Sequence, residues 1–205
     1  MDNEIMQNSP ETPEAPKEKR TLRDWLGDIY ELVEMLGIVS VTIMLLFAFV
    51  FRLNIVDGHS MDMTLAHGQY LMVSDLFYEP TAGDIVIVHK INADPYDAPI
   101  VKRVIATEGQ TVDIDFTTWT LKVDGKVIDE PYRYLSNDPI LTSDWEFPIT
   151  VGEDQIFVMG DNRNNSADSR TQEIGLIDER CVVGKAYVRL FPMNEFEVFK
   201  NPREK

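Results

Sequence analysis

An uncharged apolar run at residues 36–51, LGIVSVTIMLLFAFVF, constrains this chain more than any other feature. As a helix, these sixteen residues would span about 24 Å, slightly less than the hydrocarbon core of a bilayer. Arg52 and Leu53 extend the segment, because an arginine near the end of a membrane helix can snorkel to the headgroups. A buried helix of a soluble protein is the alternative, but no later segment has the pattern of a partner amphipathic helix. We therefore predict one transmembrane anchor at residues 36–53.

The basic side chains around this run predict its orientation. Four of them precede it, namely Lys17, Lys19, Arg20 and Arg23, whereas only Arg52 follows closely. The positive-inside rule then predicts a cytoplasmic N-terminus, a single pass through the cell membrane and an extracytoplasmic domain. A cleavable signal peptide is not expected, because the charged region ahead of the run is long and FVFRLN lacks a small-residue cleavage pattern.

The segment before the anchor divides into two parts. Residues 1–20 are rich in Pro, Glu, Asn and Gln and predict a disordered cytoplasmic tail. Residues 21–35 carry apolar side chains at helical spacing and predict an amphipathic juxtamembrane helix, which Thr21 and Asp24 begin as a capping box. This helix is either interfacial or, more simply, a cytoplasmic extension of the membrane helix.

After the anchor, residues 54–205 have the pattern of a mainly β domain. Gly, Pro and Asp turns separate stretches rich in β-branched and aromatic residues, and the LKVDGKVI segment at residues 121–128 predicts a hairpin with a type I′ AspGly turn. We predict an antiparallel β domain with residues 110–148 as a small inserted or capping segment. The strand-like stretches are residues 70–78, 84–90, 100–107, 111–123, 126–128, 155–159 and 181–191.

Charge and cysteine content exclude several classes of function. The formal net charge is −16, and the residues after Phe51 carry 26 acidic against 15 basic side chains, which disfavours nucleic-acid binding. Cys181 is the single cysteine, so an intramolecular disulfide is impossible. His59, His67 and His89 have no metal-ligand spacing, and we predict neither a metal nor a cofactor.

Three short blocks carry the candidate chemistry. DGHSMDMTL places Ser60 a few residues after the anchor, although an isolated serine beside a glycine is more often a solvated turn residue. IVKRVIATEG places Lys102 on the same strand face as Ile100, Val104 and Ala106. Desolvation there would lower the lysine pKa toward about 7 to 8, as a general base requires, whereas a solvated edge-strand lysine is the ordinary alternative. The third block is the polar loop GDNRNNSADSR at residues 160–170.

A histidine base is the competing arrangement, with Asp161 or Asp168 as its orienting acid. His59 is a poor base because consecutive side chains of an extended segment point apart. Spacing alone leaves His67 and His89 open as bases.

The blocks SMDMTL, KRVIATEG and GDNRNNSADSR, in this order behind one hydrophobic segment, resemble the bacterial type I signal peptidases. The resemblance implies a Ser/Lys dyad with Ser60 as nucleophile, Lys102 as general base and the Ser60 backbone N–H as oxyanion donor. It further implies that Ser166 orients the lysine amine, and that Asp168 and Arg170 form a structural ion pair.

Two positions depart from the family pattern. Gly58 stands where some members place a serine hydroxyl that binds the oxyanion, and Met63 replaces the proline of SMxPTL. Met61 matches the family methionine and is either a substrate-pocket wall or a core residue. Asp161 and Asn162 are expected to shape their turn rather than to contact substrate.

We therefore expect a membrane-anchored serine endopeptidase that removes signal peptides from exported preproteins by cutting after small residues. Its expected partners are preprotein signal peptides and membrane lipid, with no nucleic acid or metal and with no oligomeric state specified. The alternatives are a dedicated processor of a narrow substrate set, such as pilus subunits, and a non-catalytic membrane-tethered paralogue. A self-cleaving repressor with the same dyad is disfavoured by the anchor and by the lack of a basic DNA-binding module.

Overall fold

The computed structural model describes residues 21–90, 98–135 and 143–203, so the predicted tail at residues 1–20 lies outside the described residues. These residues form one α-helix, twelve β-strands and two short 3-10 helices, Glu179–Cys181 and Met193–Glu195. The chain divides into two compact units, residues 1–44 and 45–205.

Helix α1, Leu22–Phe49, is continuous through both the juxtamembrane segment and most of the predicted anchor. The Asp24 N–H donates to Thr21 Oγ1 at 3.3 Å and the Thr21 N–H donates to Asp24 Oδ2 at 2.8 Å, which forms the expected capping box. The helix has no buried side chain and a mean hydropathy of 2.4 over its most apolar 18-residue window, enough by length and composition to cross a membrane. It ends at Phe49, four residues before the predicted end of the anchor, and Arg52 begins a strand.

The larger sheet is antiparallel throughout, with the strand order β1-β2-β11-β3-β4-β9-β10 and with β12 paired to β11. Because β3 and β9 flank β4, the backbone of β4 is hydrogen bonded on both sides. The strands are β1 (Arg52–Ile55), β2 (Tyr70–Ser74), β3 (Ile85–Val88), β4 (Ile100–Ala106), β9 (Gln155–Met159), β10 (Ile177–Asp178), β11 (Val182–Phe191) and β12 (Glu197–Val198).

The predicted insert at residues 110–148, together with the two residues that follow it, forms a second antiparallel sheet of order β7-β6-β5-β8. Asp124 and Gly125 connect β6 to β7 with φ angles of +51° and +74°, as a type I′ turn requires. The prediction of a mainly antiparallel β fold with one N-terminal apolar helix is therefore confirmed. The strands of this sheet are β5 (Thr111–Asp115), β6 (Thr120–Val123), β7 (Lys126–Val127) and β8 (Ile149–Thr150).

Strand β4 contributes to the hydrophobic core on both of its faces. Val104 packs in one buried cluster with Val86 and Val158, and Val86 is the direct cross-strand partner of Lys102. A register shift after Val104 interrupts the alternation, so that Ala106 packs in another cluster beneath the small sheet. Simple alternation predicted Ala106 on the same strand face as Lys102. This prediction is wrong, because the register shift moves Ala106 off that face.

Candidate active site

Ser60 lies in a turn-rich segment between β1 and β2. The turn is closed by backbone hydrogen bonds from Asp62 N to His59 O at 3.2 Å and from Leu65 N to Met61 O at 2.7 Å. Met61 and Leu65 are each 1% exposed and pack in the same core cluster, which fixes the turn to the domain. Ser60 itself is only partly buried. Of the two roles predicted for Met61, the structure shows the core position.

The structure brings together Ser60 and Lys102, the two residues that the sequence singles out. Lys102 Nζ donates a hydrogen bond to Ser60 Oγ at 2.7 Å, and the lysine is 3% exposed. Desolvation by burial lowers the pKa of the Lys102 amine to about 8, with the charge of Asp168 opposing this shift and that of Arg170 adding to it. A substantial fraction of the amine is thus neutral in mildly alkaline solution, which is the form that can accept a proton.

Two of the candidate histidine bases have other partners. His59 Nδ1 lies 3.2 Å from an Asp62 carboxylate oxygen. His67 Nδ1 accepts a hydrogen bond from the Gly58 N–H at 3.2 Å and lies 3.4 Å from Asp57. The side-chain nitrogen that is hydrogen bonded to Ser60 Oγ is Nζ of Lys102 and not a nitrogen of either histidine.

The loop at residues 160–170 is held by a buried ion pair. Arg170 Nε donates to Asp168 Oδ1 at 2.7 Å, and a terminal guanidinium nitrogen donates to Oδ2 at 2.8 Å. Burial alone would raise the pKa of the Asp168 carboxyl, but Arg170, Ser166 and the Gly160 N–H together lower it below its usual value. Asp168 therefore stays ionised within the core and holds both ends of the loop.

Ser166 and Gly160 lie beside the Ser60 turn. The Ser166 hydroxyl donates to Asp168 Oδ2 at 2.7 Å, which differs from the hydrogen bond to Lys102 that the resemblance implies. A Cβ atom on Gly160 would lie 2.3 Å from Ser166 Oγ and 2.4 Å from the Ser60 carbonyl oxygen. Glycine at this position is what allows the two backbone segments to approach so closely.

A second buried ion pair was missed by the sequence reasoning. Arg103 donates two hydrogen bonds to Asp161, at 2.8 and 2.6 Å, and its guanidinium lies 3.8 Å from the centre of the Tyr132 ring. Thr64 Oγ1 donates to the same carboxylate at 2.6 Å, which links the Ser60 turn to the loop. The sequence feature that could have indicated this pair is Arg103 itself, which lies inside an apolar strand. A buried guanidinium requires an acidic partner.

The segment after the small sheet braces the same loop. Arg163 donates to the Glu130 carboxylate at 2.9 Å, and both side chains are almost fully buried. Tyr134 pairs with the loop backbone through hydrogen bonds from its N–H to Asp161 O and from Arg163 N to its own carbonyl. This packing is a structural role of the predicted insert that spacing alone did not indicate.

Within the described residues, no group of three or more His, Cys, Asp or Glu side chains is arranged to hold a metal ion. The groups that the structure brings together around Ser60 are a serine hydroxyl, a lysine amine of lowered pKa and backbone N–H donors, which suit nucleophilic acyl transfer.

Comparison with known proteins identifies the family. The family model described as signal peptidase, peptidase S26, matches residues 29–191. The chain belongs to this family. A signal peptidase I of Bacillus licheniformis is 39% identical over 178 residues, which cover 82% of this chain and 92% of that relative. Signal peptidase I T of Bacillus subtilis is 35% identical over 196 residues, covering 91% and 94% of the two chains.

A crystal structure of a signal peptidase I from Enterococcus faecalis aligns with a TM-score of 0.42 and 29% identity, over 53% of this chain and 97% of that one. The resemblance of the three sequence blocks to type I signal peptidases is confirmed by the family match. As a member of peptidase family S26, the chain is a serine peptidase.

Proposed function

We propose that this chain removes signal peptides from exported preproteins at the membrane surface, with Ser60 as nucleophile and Lys102 as general base. The observation that carries the proposal is the 2.7 Å hydrogen bond between Lys102 Nζ and Ser60 Oγ, made by an amine that is buried and has a lowered pKa. Two signal peptidases to which this chain is similar, those of Bacillus licheniformis and Bacillus subtilis, support the substrate class.

The geometry supports a two-step acyl transfer. The neutral Lys102 amine accepts the Ser60 proton as Oγ attacks the scissile carbonyl, and the carbonyl oxygen becomes an oxyanion that the Ser60 backbone N–H stabilises. The resulting ammonium then protonates the leaving amine as the C–N bond breaks. A water molecule, deprotonated by Lys102 in turn, hydrolyses the acyl ester and releases Ser60.

Asp168 and Arg170 set the charge around the amine as well as holding the loop. Desolvation by burial has the largest effect on the Lys102 pKa and lowers it, while the charges of Asp168 and Asp161 raise this pKa and that of Arg170 lowers it further. We assign Ser166 to the same support, because its hydroxyl donates to Asp168.

The anchor places the enzyme on the same surface as its substrate. The apolar helix supports a membrane-anchored protein, and the lysines and arginines before the apolar run support a cytoplasmic tail at residues 1–20 with residues 54–205 outside. Confinement of enzyme and signal peptide to one membrane raises their effective concentration. The excess of acidic over basic side chains disfavours nucleic acid as a partner.

The test uses the full chain in detergent with preproteins that carry small residues at positions one and three before the cut. Ser60→Ala and Lys102→Met should each abolish cleavage, while Lys126→Met, which removes an exposed lysine of β7, should retain it. Mass spectrometry of the products locates the cut. Activity that survives in Lys102→Met would refute the dyad, and a folded but inert wild-type chain would favour the non-catalytic paralogue. A panel of preproteins separates a general peptidase from a dedicated one.

A further inference from the structure

Asn162 connects the polar loop to the backbone on both sides of the candidate nucleophile. Its side-chain Nδ2 donates to the His59 carbonyl oxygen at 3.0 Å, and its backbone N–H donates to the Ser60 carbonyl oxygen at 3.0 Å. The residue is 6% exposed. The bond to His59 comes from a residue 103 positions away and adds to the local bond from Asp62 N that closes the turn.

This contact fixes the direction of one particular N–H group. The His59 carbonyl and the Ser60 N–H belong to the same planar peptide unit and point in opposite directions. Holding the carbonyl oxygen therefore holds the Ser60 N–H, which the proposed mechanism uses as the oxyanion donor. A hydrogen bond accepted by the carbonyl also polarises the peptide unit, which strengthens its N–H as a donor.

The orientation of the Asn162 amide is set by this contact. Only the NH₂ group can donate to the His59 oxygen, because the flipped amide would place two acceptor oxygens against each other. The other end, Oδ1, is buried and accepts no hydrogen bond from residues 21–90, 98–135 or 143–203. Among the described residues, the Asn162 side chain therefore makes its polar contact by donating to His59.

Stabilisation of the oxyanion depends strongly on the Ser60 N–H in this chain. Residue 58 is glycine, so no side-chain hydroxyl at that position shares the oxyanion, and Gly58 N–H instead donates to His67. Alignment of the backbone donor then depends on what holds the peptide between residues 59 and 60. We infer that Asn162 is a positioning residue that aims the Ser60 N–H at the oxyanion, an inference that rests on the proposed function.

The test compares Asn162→Ala with Asn165→Ala, which truncates an exposed asparagine of the same loop. Both variants are assayed on the pH plateau where Lys102 is neutral, so that a change in the protonation of Lys102 does not affect the measured kcat. Because removing one oxyanion donor costs roughly 10²–10³-fold in kcat, misaligning it should lower kcat by about 10–100-fold. KM should change by less than about two-fold, since the interaction acts on the transition state. Asn165→Ala should match the wild type.

A second readout separates alignment from general structural damage. A peptide boronate, which accepts Ser60 Oγ at boron and forms a tetrahedral anion, should lose affinity for Asn162→Ala by the same factor as kcat. A non-cleavable peptide of the same sequence, which forms no such anion, should bind unchanged. If Asn162→Ala does not fold, Asn162→Asp decides, because it keeps the shape and the backbone bond to Ser60 but replaces the donor with an acceptor.

Unchanged kcat in the folded Asn162 variants, or an equal loss of affinity for the boronate and the non-cleavable peptide, would overturn the inference and leave the dyad standing. Failure of the proposed function is a different result, in which the wild-type chain does not cleave or Ser60→Ala retains activity.

Discussion

Replacing Lys102 with methionine should inactivate the enzyme and at the same time stabilise its fold near neutral pH. The lysine is 3% exposed, and its pKa falls from 10.5 to about 8 on folding. A pKa difference of one corresponds to about 1.4 kcal/mol, so keeping the amine protonated in the folded state costs about 3 kcal/mol at pH 7. Methionine has a similar volume and no charge, but it forfeits the hydrogen bond to Ser60, worth about 1 kcal/mol. The expected net gain is about 2 kcal/mol.

The sign of the pH dependence follows from the same shift. Below about pH 8 the lysine is charged in both the folded and unfolded states, so the full penalty applies to the wild type and the advantage of methionine is constant. Between about pH 8 and pH 10.5 the unfolded state binds more protons than the folded state, so wild-type stability rises. The difference between the two proteins should therefore shrink over this window and vanish or reverse above it.

Urea unfolding of the full chain in detergent, followed by tryptophan fluorescence, measures this difference. Trp119 is 4% exposed in the core and reports on loss of the fold. Lys126→Met, at an exposed position of β7, is the control and should change the free energy of unfolding by less than about 0.5 kcal/mol. A Lys102→Met variant that is no more stable than the wild type at pH 7, or whose gain does not shrink with rising pH, would refute the reasoning.

Three further predictions follow from individual positions. Preprotein cleavage should rise as pH increases through about 8, because Lys102 must lose its proton; a rise centred near 6.5 would instead indicate a histidine base. Gly160→Ala should lower cleavage by at least about 10-fold, as its Cβ would lie 2.4 Å from the Ser60 carbonyl oxygen, whereas Gly27→Ala, with open space around it, should not. Met63 has a φ of +76°, so Met63→Pro should lower the free energy of unfolding by about 1–3 kcal/mol and Met63→Gly should raise it by a few tenths in the same urea titration. Equal stability of the two Met63 variants would contradict the left-handed backbone at this position.

Sequence patterns anticipated the features that depend on near neighbours. The apolar helix, the AspGly hairpin and the strand around Lys102 each follow from short periodicities or from the φ preferences of two residues. The same local rules placed Ala106 on the face of Lys102, where the structure has a register shift, and extended the membrane segment past the end of α1 at Phe49. Both differences come from strand pairing, because a bulge and the start of β1 depend on the partner strand.

What the sequence determined by itself is the class of the protein: an apolar helix, an antiparallel β domain with an insert, and a serine and a lysine in blocks typical of one peptidase family. What only the tertiary structure decided is how that pair is supported. Arg103 meets Asp161 across 58 residues, Arg163 meets Glu130 across 33, and Asn162 reaches His59 across 103. Such partners depend on strand register and loop packing, since any charged or amide side chain offers the same chemistry until the fold selects which one lies within hydrogen-bonding distance.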